Sequence, residues 1–213
     1  AISVFADSVT SDVIGQSTLL KHGMTLCGYE MMFYKNEVFT PGRLFPFDSK
    51  LTLALYSKKL NDKPVALYPI IEHEEIIRYI YKELGVDCTV MNTNDDTVGF
   101  EYHIKDRNAH KTAELIVTKP SIPDREFLRF IDSKYREHYT FVSYINMSLP
   151  VSRGLISELE ERGFFFTGIK PLSLGGEYAI FCQSDNTSSV FEDVLIPCGS
   201  EKLMNYIIRN KSG

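Results

Sequence analysis

The 213 residues contain no tryptophan, no CxxC pair and no long apolar run. Each absence excludes something. A membrane-spanning helix needs about 18 or more consecutive apolar residues, and none is present. Without a CxxC pair, a zinc ribbon or a thioredoxin-type redox site lacks its ligands. The four cysteines, Cys27, Cys88, Cys182 and Cys198, each sit in or beside an apolar stretch. The expectation is reduced, mostly buried thiols in a cytoplasmic protein. Basic excess is missing too. The net charge of -5 argues against nucleic acid as the main partner, because a phosphate binder needs a basic face. No G-x-S-x-G elbow surrounds Ser8 or Ser152, so a serine hydrolase is poorly supported. No secretory signal is visible, and the sequons at Asn146 and Asn186 are read as chance.

What is present is an ordinary globular composition, 44% hydrophobic and 24% charged, with enough chain to bury a sizeable core. Ala1 leads at once into Ile2-Ser3-Val4-Phe5-Ala6, a strand-like run without a lead-in, so the expectation is a fragment of a longer parent. Turn and cap residues follow at Asp7-Ser8 and Thr10-Ser11-Asp12. A helix is expected from Val13 to His22, ended by Gly23. Strands are expected over 25–34, 50–58 and 65–68, with a loop at 36–49. The stretch 73–84 carries Ile76, Ile77, Ile80 and Leu84 as a helical apolar stripe. After a turn at 92–97, strands over 97–105 and 111–118 form a hairpin. Pro120 and Pro123 break the chain, and Asp124 caps a helix reaching His138. Then come a strand over 140–147, a helix opened by Ser152 and ended by Gly163, strands over 164–170 and 177–183 around Leu174-Gly175-Gly176, a polar loop at 185–189, a strand near 193–196 and a last helix from Ser200 to Ile208.

Several side-chain groups invite a chemical reading. Glu101, His103 and Lys105 alternate on one strand face, either as an acid–base cluster or as the wet face of an amphipathic strand; the second reading is favoured. His22 closes a helix, where an imidazolium suits the dipole. His73 with Glu74 and Glu75 lacks a second histidine at helical spacing and reads as a helix N-terminus rather than a metal site. Cys182, inside Ala179-Ile180-Phe181-Cys182, reads as buried rather than nucleophilic.

One internal echo stands out. Residues 19–29, LLKHGMTLCGY, match residues 159–169, LEERGFFFTGI, in pattern: a leucine on a helix, a charged tail, Gly, a bulky apolar residue, then a small residue and a second Gly. A helix that ends at a glycine in left-handed conformation and reverses into a strand explains both. The chance reading is a common helix stop used twice.

This unit resembles the C-terminal part of the GNAT acyltransferase superfamily fold, in which a strand leads to a helix, a "GF" step and a strand pair. The first copy is strand 2–6, helix 13–22, Gly23-Met24 and strands 25–34 and 50–58. The second is strand 140–147, helix 152–162, Gly163-Phe164 and strands 164–170 and 177–183. The run Gly163 to Pro171 is similar to GNAT-like modules of bacterial multidomain proteins, some linked to anti-sigma-type kinases. The resemblance covers about two thirds of the chain and implies binding of acetyl-CoA or another acyl-CoA. Splayed strands would bond the pantetheine arm, and a Q/R-x-x-G-x-G/A turn would hold the pyrophosphate at a helix N-terminus. It also implies that Asp12, Gln16 and Ser17 touch the acyl-CoA; the alternative is a solvated helix face. Two departures weigh against catalysis. No Q/R-x-x-G-x-G/A occurs, with Pro120 to Pro123 standing in its place in the second copy. The position of the family's proton-donating tyrosine falls on Leu19 and Leu159.

The expected fold is therefore mixed α/β: a GNAT-like, largely antiparallel sheet with flanking helices and a parallel pair at each crossover. It would be built of two parts, 1–60 as the C-terminal half of a GNAT-like domain and 61–213 as a second GNAT-like domain. Two functions stay open. One is an acyl-CoA-dependent N-acyltransferase, or part of one, acting on a small-molecule or protein amine. The other is a non-catalytic ligand-sensing or protein-interaction module of a bacterial regulatory protein, with a protein partner or a homo-oligomer and no nucleic acid or membrane.

Overall fold

The computed structural model describes residues 3–35, 50–60, 63–91, 99–173, 176–184, 191, 194–197 and 200–211. The expected loop at 36–49, the turns at 92–97 and 185–189, Leu174-Gly175, Asn186 and Cys198 lie outside the described residues. The fold is mixed α/β, with a large, mostly antiparallel sheet flanked by helices.

The elements run β1 (Ser3–Val9), α1 (Val13–Lys21), β2 (Thr25–Lys35), β3 (Lys50–Lys59), β4 (Val65–Leu67), α2 (Glu74–Glu83), β5 (Cys88–Val90), β6 (Glu101–Arg107), β7 (Thr112–Lys119), α3 (Arg125–Arg136), β8 (Thr140–Asn146), α4 (Arg153–Glu160), β9 (Phe165–Ser173), β10 (Gly176–Gln183) and α5 (Glu201–Lys211). Among the described residues, eight strands form one sheet in the order β1-β3-β2-β9-β10-β8-β7-β6, and β4 with β5 makes a small parallel ladder. Strand β5 escapes sequence reading because three residues carry no alternation. Residues 194–197 have no regular structure where a strand was expected.

Parallel neighbours were expected at every crossover. They occur at α2 (β4–β5) and α3 (β7–β8). At α1 and α4 the two strands flanking the helix are separated by a third, β3 and β10 respectively, which pairs antiparallel with both. The later strand of each unit inserts into the gap.

The internal echo has a structural counterpart. Each of its features recurs 140 residues later. Asp12 and Ser152 both cap a helix through their side chains, accepting from Gly15 N–H and Gly154 N–H. Gly23 and Gly163 both take positive φ, +71° and +78°. Met24 N–H donates to Leu19 O at 3.1 Å and Phe164 N–H to Leu159 O at 3.0 Å, the same helix stop twice. The six strands from the β1 edge inward, β1-β3-β2 then β9-β10-β8, form a mirrored order about one contact, Gly28 opposite Gly168. At that contact Gly168 has φ +136°, and a Cβ on it would overlap the Gly28 Cα and the Cys27 carbonyl. Only glycine lets the two backbones meet so closely.

The apolar core runs through both halves of the sheet and includes Tyr29, Tyr56, Phe141, Phe166 and Phe181, all buried. Leu19 packs against it and Leu159 is buried within it.

Candidate functional site

Near the Gly28–Gly168 contact, one face of the sheet holds a cleft of about 290 Å³. Strands from both edges of the sheet line it, since Phe5 and Asp7 of β1 and Arg107 of β6 face the same space. The sheet must therefore curl. At its floor lies Glu30, only 4% exposed, between the buried Tyr29 and Met31. The Tyr144 hydroxyl donates to its Oε1, and Lys170 Nζ stands 3.2 Å from the same atom. Lys170 also sits over the Tyr144 ring, 4.7 Å from its centroid. On the neighbouring wall, buried Glu114 pairs with Arg107 and lies 3.6 Å from Lys105 Nζ.

A carboxylate taken out of water costs several kcal/mol unless paired and hydrogen-bonded, so each buried acid here has its own cation. Burial, followed by the Glu30 charge beside it, pushes the Tyr144 hydroxyl well above its ordinary range. Tyr144 is therefore a neutral hydrogen-bond donor. Glu30 and Lys170 occupy equivalent places in the repeat, one residue beyond the stretch in which the echo is legible. A charge at the same position of both copies was the available sequence signal for this cleft.

Apart from Lys105, which stands beside Glu114, the positions singled out from sequence lie elsewhere. Asp12 accepts the Gly15 N–H at 3.0 Å and caps α1. Gln16 is not on a solvated face: it is the fully buried residue of α1. Its amide nitrogen donates to Thr10 O at 2.8 Å and to Leu195 O at 3.1 Å, and Tyr56 OH donates to its Oε1 at 2.9 Å. The side chain ties the turn after β1, strand β3 and residues 194–197 together. Ser17 is half-buried on the same helix. His22 is the exposed C-cap of α1. Glu101, His103 and Lys105 point outward on β6 while Tyr102 and Ile104 are half-buried, the amphipathic alternation expected. Cys182 is buried, and burial pushes its thiol up to about 12. Among the described cysteines, Cys27, Cys88 and Cys182 are free thiols.

His73 stands at the N-cap position of α2 but caps nothing. It is buried, stacked on Phe166 at 4.4 Å, with Nδ1 2.8 Å from the Tyr206 hydroxyl. Among the described residues no three His, Cys, Asp or Glu side chains form a metal-sized group.

The end of the β7–β8 ladder bears on the phosphate-binding expectation. Parallel pairing runs from Thr112 opposite Thr140 to Val117 opposite Ile145. Beyond it, the Asn146 side-chain amide donates to Thr118 O at 3.1 Å, and Ser152 N–H donates to Pro120 O at 2.8 Å. At the start of α3, the Asp124 carboxylate accepts the Phe127 N–H at 2.8 Å, with Glu126 in the same turn. Pro120 and Pro123 offer no N–H. No helix among the described residues is long and apolar enough to cross a membrane.

No protein-family profile matches the chain, and no solved structure matches it. The chain is similar to non-structural protein 1 of a bovine strain of Rotavirus A, with 21% identity over 194 residues. That alignment covers 84% of this chain and 39% of the viral protein, so the chain corresponds to well under half of that relative's length.

Proposed function

We propose that this chain is a non-catalytic, GNAT-like protein-interaction module working in the cytoplasm, rather than an acyl-CoA-dependent transferase. The observation that carries the reading is the occupied start of α3. An anion site at a helix N-terminus needs free N–H groups and no competing negative charge. Here the Asp124 carboxylate already takes the Phe127 N–H, and Glu126 adds a second acid to the turn. Two prolines stand where backbone donors would be needed. The opening beyond the β7–β8 ladder is bridged by Asn146 and Ser152. Leu159, where the resembled family places a proton-donating tyrosine, is buried and cannot donate.

Calorimetric titration with acetyl-CoA tests this. The module gives no saturable heat at millimolar ligand. Saturable binding with stoichiometry near one, weakened by added salt as phosphate contacts require, overturns the reading.

A further inference from the structure

The internal repeat is complete on one side only. On its outer edge β8 pairs in parallel with β7, which carries Glu114 into the cleft, and β6 beyond it adds Arg107. Its counterpart β1 pairs with β3, and among the described residues no strand pairs with its other edge. Thr10 N–H donates to Thr52 O of β3, and the β1–β3 register is unbroken. The period of two then turns the amides of Phe5, Asp7 and Val9 toward the open edge.

The side chains around that edge suit a partner. Val4, Val13 and Ile14 are exposed, Ile14 by 80%. The position equivalent to Ile14 is Gly154, against which Ile122 of the segment before α3 packs. The first copy thus exposes a large apolar side chain at a position where the second copy has only glycine. On the cleft face, the exposed Asp7 carboxylate stands where the second copy presents Tyr144.

We propose that β1 is a strand-addition site: an extended segment of a partner protein, alternating apolar and basic residues, pairs parallel to β1. Its apolar side chains cover Val4 and Ile14, and a lysine or arginine meets Asp7. Backbone pairing supplies the affinity and the Asp7 contact the selectivity, as in other edge-strand recognition. This deepens the protein-interaction reading above and rests on it.

The test uses the ¹⁵N-labelled chain and two capped heptapeptides, one alternating valine and lysine, the other valine and glutamate. Amide hydrogen exchange is followed residue by residue. The lysine peptide slows exchange at Phe5, Asp7 and Val9 several-fold, and the glutamate peptide does not. In Asp7→Lys the preference reverses; Asp7 is exposed, so the variant keeps its fold, checked by unchanged spectra elsewhere. Equal protection by both peptides, protection on β6 instead, protection that grows with chain concentration alone, or no protection each overturns the proposal. Acetyl-CoA titration addresses the earlier reading separately, so either can fail without the other.

Discussion

Lowering the pH from 7 to 5 withdraws stability through His73. Burial is the cause: the imidazole pKa falls from 6.5 to about 4, a drop opposed only by the nearby Glu72 charge. The geometry explains the direction. The Tyr206 hydroxyl donates to Glu72 O at 3.1 Å, so the short contact with His73 uses the Nδ1 proton as donor. Nε2 is then a bare acceptor, buried beside Phe166 and Phe181 without a partner. A proton there would be a buried donor with nothing to accept it. Because the folded pKa lies below the unfolded one, the unfolded chain binds more protons between pH 6.5 and 4. Stability is therefore fully present above pH 6.5 and declines as the pH falls through that window. The depression is worth about 3 kcal/mol in full, and about 2 kcal/mol of it is lost by pH 5. Urea unfolding of the wild type and His73→Phe at pH 7 and pH 5 measures this. The wild type loses about 2 kcal/mol more than the variant over the interval. Equal losses, or a His73 ring signal titrating near 6.5 by NMR, refute the reasoning.

Gly168→Ala drives a Cβ into the Gly28 backbone and forces an unfavourable φ, and costs on the order of 3 kcal/mol or more in chemical unfolding. Gly85→Ala has positive φ but open space around it, and costs about 1 kcal/mol in the same assay. Lys170→Met leaves Glu30 buried without its cation and destabilises by about 3 kcal/mol; adding Glu30→Gln recovers most of that, read by a double-mutant cycle. Gln16→Ala strands Leu195 O and the Tyr56 hydroxyl, leaves Thr10 O with the Leu195 N–H alone, and costs about 3 kcal/mol by denaturant unfolding, whereas Ser17→Ala stays within about 0.5 kcal/mol.

Local features were legible in the sequence. The Asp124 cap, the apolar stripe of α2, the alternation of β6 and the two glycine helix stops all follow from neighbours a few residues apart. The echo at 19–29 and 159–169 marked the repeated helix stop but not the mirrored strand order, since β3 and β10 insert where parallel neighbours were expected. What failed was non-local. Gln16 reads as a polar position on a short helix, yet its partners come from the turn after β1, from β3 and from a segment 179 residues away. His73 does stand at the start of α2, as Glu74 and Glu75 suggested, but its burial was missed because the rings around it belong to β9, β10 and α5. The cleft depended on strand order, which brings Glu30 and Lys170 within 3.2 Å across 140 residues of chain.

The start of α3 is where the account is most directly exposed. Its amides, Arg125 to Phe127, are observable in a ¹⁵N spectrum during titration with acetyl-CoA. With the Asp124 carboxylate holding the Phe127 N–H, these signals stay in place at millimolar ligand. Saturable displacement of the Phe127 amide, with loss of the cap hydrogen bond, would mean that the helix accepts a pyrophosphate and that the chain is built to bind acyl-CoA.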